Sequence, residues 1–395
     1  MSKKKILLIH HGQGVGGGLI ALLGLIRELR ADHTVTVLCI FASEAVNYLR
    51  KEGVAVIVLD TWFYRKAYDL FVHSAASFFS PLGLVRNLYT LLIYFMSMYV
   101  FGPAALRKAA QDCDIVYLNS MFISDWAVAA KGLQKKVVVH IREPLADGVF
   151  GIRRALIRHV IGRNADLVIA ISKDNGVRLG LPSKTVTVYD PIVLDETKGV
   201  SISVEPGLRY FTYVGGSQRI KGFAQLVDSL DHLDDRVRIF FLGYTHELER
   251  LSGWKFMIRQ LLSPYTRRLP VLKRKLQESG KIIHIGVSDS VVAYYRRSVA
   301  VISPFSVPHA SLPVLEAQHL GKPVIVSDVV GTEEFVDSSV GLVFENGDAL
   351  ALAKAINHLA GQDEETLRGM GEQGQKRSRA MHLNKPCVSQ LLQTL

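Results

Sequence analysis

Short, unbroken apolar runs separated by helical stretches recur from one end of the chain to the other, and this alternation limits the possible folds more than any other feature. The runs fall at residues 6–9, 34–40, 54–59, 115–118, 137–141, 167–171 and 186–189, then at 209–214, 237–242, 282–285, 299–303 and 324–327. A strand with no polar alternation is buried on both faces, and such strands joined through helices build parallel sheets covered on both sides. There are enough runs for two sheets. The pattern lapses over residues 192–206, where Asp195, Glu196, Lys198 and Gly199 interrupt it before a fresh strand at Tyr210. The expected organisation is α/β, with two Rossmann-like domains over 1–195 and 196–375. A last segment, 376–395, holds a bend at His382-Leu-Asn-Lys-Pro and a terminal helix. Ligands of such domains sit beyond the carboxyl ends of the strands, here in a cleft between the halves.

Length and composition suit a globular chain with well-filled cores: 395 residues, 49% hydrophobic and 21% charged. The cysteines, Cys39, Cys113 and Cys387, lie far apart with no pairing or metal-ligand spacing, which suits a reducing compartment and places the chain in the cytoplasm. Lys3-Lys4-Lys5 precedes only four apolar residues, too few for the core of a signal peptide. The net charge of +11 suits a partner rich in phosphate: nucleic acid, an anionic membrane or a diphosphate-bearing substrate. No zinc-finger spacing, aromatic RNA-binding signature or basic recognition helix accompanies that charge, so nucleic acid is not expected. Neither a metal nor a cofactor is expected, because the only Asp-x-Asp, Asp112-Cys-Asp114, opens a strand.

Two segments carry the chemistry. In the first, the run 299–303 leads through a loop to Ser311, a helix-capping type, and Pro313, which suits a first helical turn. Gly321 and Pro323 stop that helix before Val324-Ile-Val-Ser. A helix opening at a strand end offers free N–H groups and a positive dipole end, so its ligand is expected to be an anion. In the second, Tyr210-Phe-Thr-Tyr-Val-Gly-Gly-Ser-Gln-Arg-Ile-Lys-Gly reads as strand, glycine turn and helix with two cations attached.

The Leu312-Pro then Leu315-Glu-Ala then Gly-Lys-Pro-Val-Ile series resembles the nucleotide-sugar core of family 4 of the retaining GT-B glycosyltransferases. The resemblance implies that Glu316 contacts the donor ribose and that Ser311, Leu312 and His309 border the donor. The family's sugar-contacting glutamate falls at Pro308, and its Gly-Phe-Gly reads His309-Ala310-Ser311. Lys221 and Gly222 match the family's Lys-Gly, implying a grip on the diphosphate by Lys221, whereas the partner arginine falls at Gly216 beside Gly215. Arg219 is expected to reach the same phosphates from the other side of the turn. His10-His-Gly-Gln-Gly-Val-Gly-Gly-Gly satisfies G-x-G-x-x-G literally but lacks the acidic residue at the second strand's end that a dinucleotide site needs. The resemblance instead gives Gly16, Gly17 and Gly18 to the donor phosphate and acceptor. It also places His140, at a strand end, near the reacting sugar, with Arg142 and Glu143 holding acceptor groups. His140, Lys221 and Glu316 are the expected catalytic set, acting mainly by electrostatic stabilisation of the leaving diphosphate.

Residues 87–106 form twenty positions without a charge, closed by Arg86 and by Arg107-Lys108. Gly102-Pro103 is expected to break the helix, leaving roughly 21 Å, too short to cross a bilayer. With Trp62-Phe-Tyr-Arg-Lys and Phe78-Phe79 upstream, an interfacial helix is favoured over a core helix or a span. A basic stretch from Trp254 through Arg267-Arg268 to Lys273-Arg-Lys reads equally as a second contact with that surface or as a solvated insertion. The expected function is retaining transfer of a sugar, UDP- or GDP-linked, onto a growing and lipid-linked surface glycan at the inner membrane face. An inactive binding scaffold and a nucleotide-sugar epimerase of the same fold are the alternatives.

Overall fold

The structure, a computed structural model, describes residues 3–68, 81–145, 149–194, 200–249, 251–288, 290–383 and 386–395. It contains two compact units, one of Met1–Val193 with Asn384–Leu395, the other of Leu194–Leu383. Each is a parallel sheet between helices, as the apolar runs require.

The first unit orders its strands β3-β2-β1-β4-β5-β6-β7. They are β1 Lys5–His10, β2 Thr34–Cys39, β3 Ala55–Val58, β4 Ile115–Leu118, β5 Lys136–Ile141, β6 Leu167–Ala170 and β7 Thr185–Thr187. The second is ordered β10-β9-β8-β11-β12-β13, with β8 Arg209–Val214, β9 Val237–Leu242, β10 Ile282–Gly286, β11 Ala300–Ser303, β12 Val324–Ser327 and β13 Gly341–Phe344. All pairings are parallel. The order reverses direction between β1 and β4 and between β8 and β11, and loops leaving such neighbours diverge and open a crevice at their carboxyl ends.

The last segment returns to the first unit later than residue 376. The Glu364–Leu383 helix stays with the second unit, where Gly371 packs directly on the Gly321 carbonyl and Arg377 pairs with Asp337. Only Val388–Gln393 docks on the Gly17–Arg30 helix. There the Val388 N–H donates to Glu28 (3.1 Å) and the Ser389 hydroxyl donates to Asp32, while Val388 and Leu392 enter the core. The expected edge at 195/196 and the bend at Asn384-Lys385 lie outside the described residues, as do Phe78 and Phe79.

Gly102-Pro103 does not end the long apolar helix. Pro81–Met96, a π turn over Ser97–Phe101 and Gly102–Ala109 run on without a gap. Proline removes one N–H and its ring crowds the carbonyl four residues back, and the widened π turn makes room for it. Residues Val85–Ala109 are therefore long and apolar enough to cross a membrane by length and composition. One face is nonetheless fixed to the first unit: Tyr94 hydrogen-bonds Ser124 (2.8 Å), Ser97 hydrogen-bonds Tyr64 (3.2 Å), and Asn87, Thr90, Ile93 and Met98 are buried. The other face shows Val85, Leu88, Tyr89, Leu92, Phe95, Tyr99 and Val100 to solvent.

Candidate functional site

In the second unit the loops that leave β8 and β11 meet at the strand-order reversal. The first is a tight turn with no room for a side chain at Gly215 or Gly216. Gly215 and Gly216 both donate their N–H to the Leu242 carbonyl (3.1 and 2.9 Å), and Ser217 donates to that of Tyr244 (2.9 Å). A Cβ on Gly216, whose φ is +55°, would lie 2.1 Å from the Tyr244 oxygen. No arginine fits there. These amides are thus spent on the turn itself, so Gly215 and Gly216 shape the site and do not offer N–H groups to a ligand. Beneath the turn, the buried Tyr213 hydroxyl lies 3.1 Å from the Gly216 carbonyl and 3.2 Å from that of Lys221.

Arg219–Lys221 forms one 3-10 turn, ended by Gly222 at φ +76°. Any Cβ on Gly222 would meet the Pro304 carbonyl at 1.7 Å, so the β8 loop is pressed against the start of the β11 loop. Ser306 completes the join, its N–H donating to the Ile220 carbonyl (3.0 Å). Residues two apart on a three-residue turn point in different directions. Lys221 shares the field of Glu316 and His309, whereas the exposed Arg219 guanidinium lies 5.0 Å from the Tyr265 ring centre and near Glu247. Lys221, not Arg219, is the cation whose charge acts on the Glu316 carboxyl.

Leu312–His319 is a helix with Ser311 at its N-cap and Pro313 in its first turn. The Ser311 hydroxyl bonds Ser303 at the end of β11 (2.7 Å) and does not cap, fixing the helix start to the strand end. Leu312 opens the first turn, whose N–H groups have no carbonyl a turn behind them. Glu316, one turn further, accepts a hydrogen bond from the Tyr295 hydroxyl (3.0 Å). Burial raises its carboxyl to about 7, against the opposing pull of that hydroxyl and of Lys221. Burial likewise lowers the Lys221 ammonium, which Glu316 partly restores. His309 stacks on Phe305 (ring centres 4.3 Å apart), and burial and then Lys221 bring it down to about 4, so it is neutral. The cluster pairs one cation with a proton-poised carboxyl beside a helix start.

The first unit gathers a second polar cluster at the carboxyl ends of β1, β4, β5 and β7. Gly16 is the N-cap of Gly17–Arg30, and Gly16 and Gly18 both face open space, the geometry expected of an approachable glycine turn. Arg142, 7% exposed, donates from Nε to Asn119 (2.8 Å) and from Nη1 to Asp190 (2.6 Å). Asn119 in turn lies 3.3 Å from His10 Nδ1. Glu143 accepts from the Ser120 hydroxyl (2.9 Å), and its carboxyl is pushed up to about 7, chiefly by burial. His140 is buried on the sheet, its Nδ1 2.8 Å from the Tyr117 hydroxyl, and burial followed by the Arg142 charge holds it well below the ordinary imidazole value. It is a neutral sheet residue two positions before the Arg142 network.

Sequence reasoning missed His10, Asn119, Ser120, Asp190, Tyr213 and Tyr295. All but Tyr213 reach a partner distant in the chain, while Tyr213 meets the Gly216 and Lys221 carbonyls of the turn that follows it, and nothing in the local pattern marks any of them. Among the described residues no group of three or more His, Cys, Asp or Glu is placed to hold a metal ion.

Residues 199–377, somewhat under half of the chain, match the family model of glycosyl transferases group 1. No curated protein matches the sequence. Among solved structures, Anabaena Alr3699/HepE in complex with UDP and glucose aligns at TM-score 0.72 and 17% identity, covering 99% of this chain and 100% of that one. Sucrose-phosphate synthase from Thermosynechococcus elongatus aligns at 0.67 and 18%, covering 99% of each chain. The apo form of the lipopolysaccharide outer core galactosyltransferase WaaB aligns at 0.60 and 15%, covering 99% and 100%. The chain thus has the two-unit α/β fold of the GT-B glycosyltransferases, and its second unit carries the group 1 pattern.

Proposed function

We propose that this protein is a retaining, metal-independent glycosyltransferase of the family 4 type. It moves a sugar from a UDP- or GDP-linked donor to a growing, lipid-linked glycan at the cytoplasmic face of an anionic membrane. The observation that carries the reading is the meeting of Lys221, Glu316 and the Leu312–His319 helix start at one strand-order reversal. Ammonium and helix dipole favour a diphosphate, and a carboxylate one helical turn on suits the ribose hydroxyls. When the sugar leaves, negative charge grows on the diphosphate oxygen, and these fixed groups stabilise it. The Arg142–Asn119–Asp190 network and Glu143 supply donors and acceptors for acceptor hydroxyls in the first unit. For the membrane, the exposed stripe from Val85 to Val100 lies between basic positions at Arg65, Lys66, Arg107 and Lys108, a composition suited to lying in an anionic interface.

A thermal-shift screen with UDP, GDP and dTDP tests the donor site, since a ligand of the folded state alone raises the melting temperature. One nucleoside diphosphate should stabilise the protein, and the matching nucleotide-sugar should transfer label to a lipid-linked acceptor. Binding without transfer favours the inactive scaffold, product formation without acceptor favours the epimerase, and no binding by any nucleotide sinks the assignment.

The raised Glu316 carboxyl gives this binding a definite pH dependence. Ribose hydroxyls donate to the ionised form, so below about 7 a proton must first leave. Affinity should fall about tenfold per pH unit below that value and level off above it. Glu316→Gln should flatten the profile in calorimetric titrations, and an equally steep profile in that variant would assign the proton elsewhere.

A further inference from the structure

The second unit carries an amphipathic helix that the nucleotide site does not use. Gly253, at φ +87°, starts Trp254–Leu262, which leads through Ser263 directly into Pro264–Glu278. On the short helix Phe256 turns inward at 9% exposure. Trp254 (68%), Met257 (66%), Ile258 (42%) and Leu261 (76%) face solvent at spacings of three, four and seven, so they form one stripe. Four large apolar side chains on one exposed face leave a hydrophobic strip in water.

The surrounding charge says what covers it. Arg259 is exposed on the same helix, and Arg267 and Arg268 follow within the next turns. Arg267 also donates to the Gln260 and Leu261 carbonyls (2.6 and 3.1 Å), closing the helix end with a cation. From Arg259 to Lys275 the chain holds six basic residues and no acidic one. Three of these are neutralised by ion pairs, Arg268 with Asp228, Lys275 with Asp231 and Arg274 with Glu278, whereas Arg259 and Arg267 stay exposed beside the strip. An apolar strip flanked by such cations is complementary to a surface that is apolar within and anionic at its rim. Nine residues rise only about 14 Å, which allows lying in such a surface and not crossing it.

We propose that Trp254–Leu262 is a lipid-docking helix of the second unit, inserting Trp254, Met257, Ile258 and Leu261 among the acyl chains of an anionic bilayer while Arg259 and Arg267 meet its headgroups. It stands apart from the transferase reading and from the stripe on the first unit. Each unit then holds itself at the lipid surface.

The chain has three tryptophans, of which Trp126 is fully buried, so in the full-length Trp62→Phe protein Trp254 is the exposed reporter. With vesicles of phosphatidylcholine and phosphatidylglycerol its emission should shift to the blue and be quenched by brominated acyl chains, more weakly with phosphatidylcholine alone. Met257→Glu with Leu261→Glu, both at exposed positions, should abolish the shift and lower vesicle partition at least about tenfold. Leu88→Glu with Leu92→Glu should lower total binding yet leave the Trp254 shift of the bound fraction intact. Absence of a shift with either vesicle overturns the proposal, as does self-association in sedimentation that requires Met257 and Leu261, which would make the stripe a contact between copies. Lipid insertion by a chain that transfers no sugar would leave it standing.

Discussion

Lys221→Ala should weaken nucleoside diphosphate binding on the order of a hundredfold or more, as read by calorimetry at a pH above 7. Burial has already stripped much of the water from the ammonium and lowers its pKa, so little hydration remains to be lost when a diphosphate arrives. Its backbone carbonyl lies within hydrogen-bond reach of the Tyr213 hydroxyl, and Gly222 wedges the turn against Pro304, so the charge is held in place before the ligand comes. Loss of one member of a desolvated charge pair costs about 2–5 kcal/mol of binding. Arg219→Ala should cost much less, because its guanidinium rests on Tyr265 at the exposed edge of the turn. The Lys221 variant should also bind best at a higher pH than the parent, since the cation that draws the Glu316 carboxyl downward has gone. Unchanged affinity in Lys221→Ala would remove the phosphate grip from this turn.

Gly216→Arg, which writes the family arginine back into its expected place, should impair the protein and not improve it. A side chain at this position must adopt φ +55° and enter the space of the Tyr244 carbonyl, 2.1 Å from the Cβ. The Gly216 and Ser217 amides are bonded to the β9 end, so the turn cannot shift without breaking those bonds as well. Strain of this kind costs about 1–3 kcal/mol before any clash is counted. The melting temperature should drop by several degrees, and UDP or GDP affinity should fall with it. A variant as stable as the parent that binds its nucleotide more tightly would show that the turn can reopen.

The parts legible in the sequence were those encoded within a few consecutive residues. Unbroken apolar runs located the buried strands because burial on both faces leaves no room for polar alternation, and Pro313, Glu316 and Gly321 marked one helix by its own start and stop. Spacing along the chain does not tell which way a 3-10 turn faces each side chain, so it does not separate Arg219, beside Tyr265, from Lys221, whose charge acts on Glu316. Pro103 reads as a stop in the sequence because the π turn that accommodates it has no sequence signal of its own. Tyr295 beside Glu316, and the line from His10 through Asn119 and Arg142 to Asp190, join residues from separate elements, and one chain read in order does not show which ends a sheet will bring together.

The seam between the two loops of the second unit has a consequence for altering what the protein accepts. Gly222 against Pro304, and Ser306 bonded back to Ile220, lock the opening half of the β11 loop to the glycine turn, while Ser311 is tied to Ser303. Only Val307, Pro308, His309 and Ala310 are left between those anchors. Diversification aimed at a new sugar should be confined to that four-residue window, because a change on either side of it would loosen the grip on every donor alike.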